Sequence, residues 1–524
     1  MKNTLIIPAL LLPLGVQAQE PALSNTVARP GITDGMAYRV EMQSSLSDGN
    51  TPLWLNANRH GLSSLKGSNG YVRAAVIRPL ATDSLSRWAW GYGVDMAAAY
   101  GFTSRAVVQQ AFAELRWLHG TLSVGSKEYG MELRNDRLSS GPQTLGINAR
   151  PVPQVRLALP DYYTLPFANS WLKLKGHIAY GMLTDNSWQH DFTKLRSKYV
   201  DNTRYHGKAG YLKIGKEEAF YPLSLELGLE MATLFGGDTY IPTNGTVRHI
   251  ANDKSLKSFW RALIPGGGEQ PEKGGAYENA EGDFRGSWLM RINYTADSWA
   301  LHVYADHFFE DHSAMFHLDY DGYGTGDDWD KWKKRRFFLY DFKDMMLGAE
   351  LELPYGHWLK GLVFEYLYTK YQSGPVYHDH TPSIPDHVAG GDNYYNHYIY
   401  AGWQHWGQVM GNPLFRSPIY NTDGRVEVEN SRFTALHIGI SGSPTARLDY
   451  RMLATWQEGL GTYNRPFDKP LQSVSVMAEA CYRPCRGWTV TGAFGMDFGS
   501  IYGRNTGFQF SVAKSWATGS KRRH

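Results

Sequence analysis

Cysteine is nearly absent: the chain of 524 residues holds two, Cys481 and Cys485, in one short segment. So few exclude a disulfide-stapled secreted scaffold. They are a candidate disulfide that would pin a hairpin. A redox pair is disfavoured, because Cys481-Tyr-Arg-Pro-Cys485 has neither C-x-x-C spacing nor a helix start. Long hydrophobic runs are also missing. No stretch beyond the N-terminus approaches 18 apolar residues, which excludes a transmembrane helix. Neither sign of charge dominates: 53 Lys and Arg against 50 Asp and Glu leave +3, so no nucleic-acid partner is implied. Enzyme signatures are missing: no G-x-S-x-G, H-E-x-x-H, Walker loop or dinucleotide fingerprint. Gly-Ile-Ser-Gly-Ser at 439–443 fails the nucleophile-elbow spacing. His302 and Asp306 share one strand face and form a conceivable acid–base pair, but polar barrel linings commonly hold such neighbours. No catalytic residue, cofactor or metal is expected.

At the N-terminus, Lys2, the apolar run Leu5–Gly15 and Val16-Gln17-Ala18 read as a signal peptide, residues 1–18, cut after Ala18. Residues 19–35 would follow as a periplasmic segment.

What the chain has is alternation and rings. It carries 17 Trp, 33 Tyr and 22 Phe, yet its mean hydropathy is −0.42. In LSLELGLEMA, Leu223, Leu225, Leu227 and Leu229 alternate with Ser224, Glu226, Gly228 and Glu230; WLKLKGHIAY and GFQFSVAKSW behave alike. A period of two gives strands with one apolar and one polar face. A soluble sandwich hides its apolar faces against each other, whereas a membrane barrel turns them to lipid. Rings at strand ends (Trp88, Trp90, Tyr366, Tyr368, Trp488, Trp516) occupy girdle positions and favour the barrel.

Connection lengths agree. If the final strand, 507–516, runs toward the periplasm, the connections assigned to that side are all short. The long ones, near 183–204, 235–283, 309–344 and 373–430, fall outside. Twelve strands fit after residue 171 and five before 130, and parity demands one more between. The expectation is an all-β transmembrane outer-membrane β-barrel over 36–516 with about eighteen antiparallel strands. Residues 517–524 would be a basic tail.

The extra crossing falls in a segment rich in proline, with Pro142, Pro151, Pro153, Pro160 and Pro166. Proline cannot donate to a strand ladder, so only 155–159 should pair. The rest of 131–170 reads as a plug-like insertion, because irregular backbone at membrane depth must be covered by protein or line a cavity. The competing reading is an ordinary long loop. Here Gly141-Pro142 and Asn148-Ala149-Arg150-Pro151-Val152-Pro153 resemble the G-P…N-A-R-P-x-P segment of the Wzi family of capsule assembly proteins. FEYLYTKYQSGP (364–375) and NYYNHYIYAGWQHWGQVMGNPLF (393–415) are similar to two later family blocks. The resemblance implies an outer-membrane barrel with a helical plug and surface loops. It implies that the protein binds exported capsular polysaccharide, helps attach it to the cell surface, and meets lipopolysaccharide and capsule export machinery.

The block 393–415 is the densest cluster of rings. Tyr394, Tyr398, Trp403 and Trp406, with His397, His405 and Asn412, offer flat apolar faces and polar tips that suit sugar rings. Packing of the loop itself explains them equally well. Asn148, Arg150 and Arg156 are candidate plug and lumen residues. Their guanidinium groups could meet acidic sugars, or the lumenal carboxylates Glu226, Glu230, Glu350 and Glu365. His378, Asp379, His380, Asp386 and His387 match no metal-ligand spacing and read as a solvated loop. Asp319, Asp321, Asp327 and Asp328 lack the spacing of a calcium loop. The cations of KWKKRR (331–336) read as pairing with that acidic run or meeting an anionic polymer. An open channel for oligosaccharides or small solutes, and a barrel hydrolase, are the competing functions.

Overall fold

The computed structural model describes residues 35–80, 87–216, 221–243, 245–264, 282–310, 316–318, 326–332, 337–339, 343–377 and 388–518. The expected signal peptide, the histidine-rich run 378–387, Asp319 and Asp321, and residues 519–524 lie outside them.

Eighteen antiparallel strands close into one barrel. In order they are Ala37–Asp48, Ser68–Arg78, Trp88–Tyr100, Ala106–Trp117, Gly120–Ser126, Gln154–Thr164, Leu172–Met182, Arg204–Ile214 and Leu223–Phe235. Asp283–Thr295, Ala300–Glu310, Met345–Glu352, Gly361–Tyr368, Phe433–Thr445, Leu448–Gly461, Pro466–Tyr482, Trp488–Gly499 and Asn505–Ala517 complete it. Each pairs with its sequence neighbours. The first pairs with the last from Ala37↔Ala517 to Asp48↔Thr506, so no edge is left open. The strand count expected from alternation and parity is the one observed.

The exterior is apolar and the interior polar. In Ala37–Asp48, Val40, Met42 and Leu46 are exposed while Glu41, Gln43 and Ser45 are buried. In Phe433–Thr445, Leu436 and Ile438 are exposed around buried His437. A soluble sandwich would have the reverse. Connections at one end span two to nine residues, and the long ones all leave the other end. At the short-turn end, Tyr38 stacks on Trp516 at 5.5 Å and Trp88 meets Trp117 at 6.0 Å, forming an aromatic rim on the outer wall. A closed barrel with such an exterior is an outer-membrane protein.

The proline-rich crossing is a strand over Gln154–Thr164, longer than expected. Its ladder to Leu172–Met182 is regular from Gln154 to Leu159 and shifts between Leu159 and Tyr163. Pro160 sits in that irregularity. On the other side, pairing with Gly120–Ser126 ends at Ala158, so no partner asks Pro160 for a donor.

Candidate functional site: a plugged lumen beneath a polar loop surface

Three connections from the long-loop end fold into the barrel. Residues 49–67 carry the short helix Leu53–Asn56. The Leu53 amide donates to Asp497, and Trp54 Nε1 donates to Thr455 Oγ1 at 3.1 Å on the inner wall. Residues 127–153 come next. They are irregular, not the helix that the resemblance implied, because their bonds go to wall side chains rather than to their own backbone. Arg134 donates to Asp306 at 2.7 Å, and both are buried. Asn135 donates to Glu350 at 2.7 Å. Ser139 Oγ and the Ser140 amide both donate to Glu365.

The third connection contains 393–415. The sequence places it in an outer loop, but most of it turns inward against 127–153. The Gly146 amide donates to Met410 O at 2.8 Å. A Cβ on Gly146 would lie 2.7 Å from Gly411 O, so this approach requires glycine. Asn412, fully buried, donates to Gly141 O at 2.6 Å and to Ser140 Oγ at 3.2 Å. Trp403, also buried, donates from Nε1 to Thr144 O at 3.2 Å, and the Arg285 guanidinium lies 4.5 Å from its ring. Tyr394 donates to Asp344 at 2.9 Å. His405 donates from Nδ1 to Arg150 O at 2.9 Å, and its Nε2 accepts from the Thr184 amide at 3.1 Å. Burial holds that ring neutral, below the usual histidine range.

The candidate glycan contacts therefore separate. Tyr394, Trp403, His405 and Asn412 are interior groups with their polar atoms engaged. Tyr398 is 65% exposed. Trp406 is half-buried, with its Nε1 donating to Thr184 Oγ1 at 3.3 Å. His397 is half-buried, and its Nδ1 accepts from the Ile399 amide at 3.1 Å. Burial pushes its pKa down to about 4, with Lys198 and Arg285 acting in the same direction and Asp283 opposing. Lys198, pushed down to about 8 by burial, donates to the carbonyls of His397 and Tyr398 and holds this turn. Beside it the helix Asn186–Thr193 packs Trp188 on Gly407; its half-buried Asn186 bonds Asn202 and its exposed His190 pairs with Asp201 at 2.9 Å. Sequence reasoning missed this helix; the long connection 183–204 was its only signal.

The cationic candidates are placed differently from expectation. Arg150 pairs with none of Glu226, Glu230, Glu350 or Glu365. It donates to Ser104 at 3.0 Å and Thr103 at 2.7 Å and covers the Trp406 ring at 4.4 Å. Arg156 lies 3.9 Å from the Tyr129 ring. Asn148 Nδ2 donates to Val409 O at 3.0 Å and ties the two inner segments. The cations of 127–153 that do reach wall carboxylates, Lys127 on Glu114 at 2.6 Å, Arg134 on Asp306 at 2.7 Å and Arg137 near Glu479 at 3.9 Å, are ones the sequence did not single out. Cys481 and Cys485 are free thiols, one half-buried at a strand end and one exposed in the turn, rather than a bridge. Asp328 accepts from Lys331 at 2.6 Å. His302 bonds Asn293 at 2.7 Å while Asp306 holds Arg134, so they form no acid–base pair. Among the described residues, no three His, Cys, Asp or Glu side chains converge as metal ligands would.

No family model and no curated protein sequence matches this chain. Among solved structures, it is similar to Wzi, a carbohydrate-binding β-barrel of Escherichia coli involved in group 1 capsule assembly. The TM-score is 0.53 at 11% identity, over 92% of this chain and 85% of that one. Two Pseudomonas aeruginosa structures also match: OccK5 (TM-score 0.44, 7% identity, 93% of this chain and 99% of that one) and OprD (0.41, 9%, 93% and 96%). The likeness to Wzi is one of fold, that of a large outer-membrane β-barrel.

Proposed function

We propose that this chain binds exported capsular polysaccharide at its long-loop face and helps attach it to the cell surface, without catalysis. The observation that carries the reading is the plug. Its polar groups are bonded to the inner wall at Asp306, Glu350 and Glu365, so the lumen serves as a platform for the loops rather than as a conduit. The Gly141–Pro153 motif lies in that plug. The Escherichia coli neighbour described as a carbohydrate-binding barrel of capsule assembly supports the same reading. Tyr398 and Trp406 are the rings of the 393–415 block left for contact with sugar, with Asn186 and His190 as hydrogen-bonding neighbours.

The test is binding of the purified, detergent-solubilised protein to capsular polysaccharide of its own strain against unrelated glycans, with a Tyr398→Ala/Trp406→Ala variant beside it. Selective binding lost in the variant supports the function and its surface. Binding retained in the variant keeps the function and moves the contact to other loops. Absence of binding by folded protein overturns the proposal in favour of the channel.

A further inference from the structure

A short helix lies on the outer wall of the barrel. It spans Leu256–Leu263, in the connection between Leu223–Phe235 and Asp283–Thr295. Its inner face, Ser258, Phe259 and Ala262, is seated against the wall. Phe259 packs on Tyr180 at 5.4 Å and edge-on to Phe235 at 5.1 Å, with the Arg204 guanidinium 5.1 Å from its ring. Lys208 donates to Ala262 O at 3.0 Å and to Leu263 O, which holds the helix C-terminus.

Strand parity puts all these partners outside the barrel. Tyr180 lies between Ile178 and Met182, both exposed on the outer wall. Arg204 and Lys208 alternate with Tyr205 and Tyr211, which point inward to Trp403 and Glu230. Phe235 shares the outward face of exposed Leu227.

The other helix face is apolar and bare. Leu256, Trp260 and Ile264 are 88%, 61% and 52% exposed and recur at i, i+4 and i+8, one stripe of a helix. Lys257 and Arg261, also four apart, border it. Apolar residues on one side and long cations along the edge suit a helix lying in a membrane interface, where the cations reach headgroup phosphates. Tyr180, on which the helix is seated, lies between Ile178 and Met182 of the barrel's exposed apolar wall, so the helix sits beside that band.

We infer that Leu256–Leu263 is an in-plane anchor that inserts Leu256, Trp260 and Ile264 into the outer leaflet and ties the loop 236–282 to the lipid surface. The occupant of the stripe is lipid, with anionic headgroups met by Lys257 and Arg261. The inference is independent of what the loops bind.

The test uses the full-length protein with Cys481→Ser and Cys485→Ser, reconstituted in vesicles of phosphatidylethanolamine, phosphatidylglycerol and lipopolysaccharide. Trp260→Cys, Leu256→Cys and, as an aqueous reference, Tyr398→Cys each carry a polarity-sensitive fluorophore. Heat-modifiable gel mobility verifies the folded barrel in each. Blue-shifted emission at 256 and 260, with loss of signal to lipid-borne nitroxide and shielding from iodide, is the expected result. Iodide quenching equal to that at 398, without a nitroxide effect, overturns the anchor. Shielding from both quenchers also overturns it, since a protein, such as a second copy of this chain, would then cover the stripe.

Discussion

The side-chain amide of Asn412 donates to the carbonyl of Gly141 at 2.6 Å, joining inner segments 271 residues apart in sequence. Asn412 Oδ1 also accepts from the Leu414 amide at 2.9 Å, so one buried side chain serves both segments. Asn412→Ala strands a buried carbonyl and a buried amide. It should lower the stability of the plug by about 1–3 kcal/mol. Hydrogen exchange would detect this as faster exchange of the amides of 139–146 with the barrel strands unchanged; equal exchange in both proteins would refute it.

Glu365 accepts from Ser139 and Ser140 of the plug and from Tyr304 of the wall, so two bonds tie the plug to a carboxylate that the wall itself holds in place. Glu365→Ala removes three bonds at once, each worth about 1.5–3 kcal/mol to a charged acceptor. The native protein should give little steady conductance in planar bilayers. The variant should give frequent openings as the plug detaches. Persistent open-pore conductance in the native protein would contradict a closed lumen.

Trp403 and Tyr398 should respond to truncation in opposite ways. Trp403→Ala empties a buried site against Tyr205 and Arg285 and should cost about 3–5 kcal/mol. Tyr398→Ala removes an exposed ring and should change stability by no more than about 0.5 kcal/mol. Thermal melting checks both. If the proposed function holds, Tyr398→Ala weakens glycan binding with no shift in melting, and Trp403→Ala shifts melting first.

His397 gives a pH dependence of defined sign. Its pKa is about 4 in the folded chain against an ordinary value of 6.5. The unfolded chain therefore holds the extra proton between those values, and stability must fall as pH drops through that window. The main cause is burial, with Lys198 and Arg285 acting in the same direction against Asp283; protonation would also remove the Nδ1 acceptor used by the Ile399 and Tyr400 amides. Melting followed from pH 7 to 4 should decline less in His397→Asn, whose Oδ1 can still accept. An identical decline in both proteins would remove His397 from the account.

The sequence displayed the barrel well and the site poorly. Alternation is a local property, set by which face of a pleated strand meets lipid, so Leu223 to Glu230 disclosed their two faces unaided. Loop-length asymmetry is equally local once strands are counted. The direction in which a loop folds is not local. The rings of 393–415 read identically whether they face sugar or the inner wall. Arg150 was expected to meet Glu226, Glu230, Glu350 or Glu365, but those carboxylates were taken by Tyr162, Tyr211, Asn135 and Ser139.

By itself, then, the sequence determined that this chain crosses the outer membrane as about eighteen strands with long loops at one end, because the period of two and its breaks are written residue by residue. Only the tertiary structure decided that 49–67, 127–153 and 393–415 turn inward and leave Tyr398 outside, and that Leu256–Leu263 lies on the outer wall. Those outcomes depend on donors and acceptors meeting across hundreds of residues, as Asn412 meets Gly141. No local pattern encodes such pairs, because either partner alone would be equally at home in water.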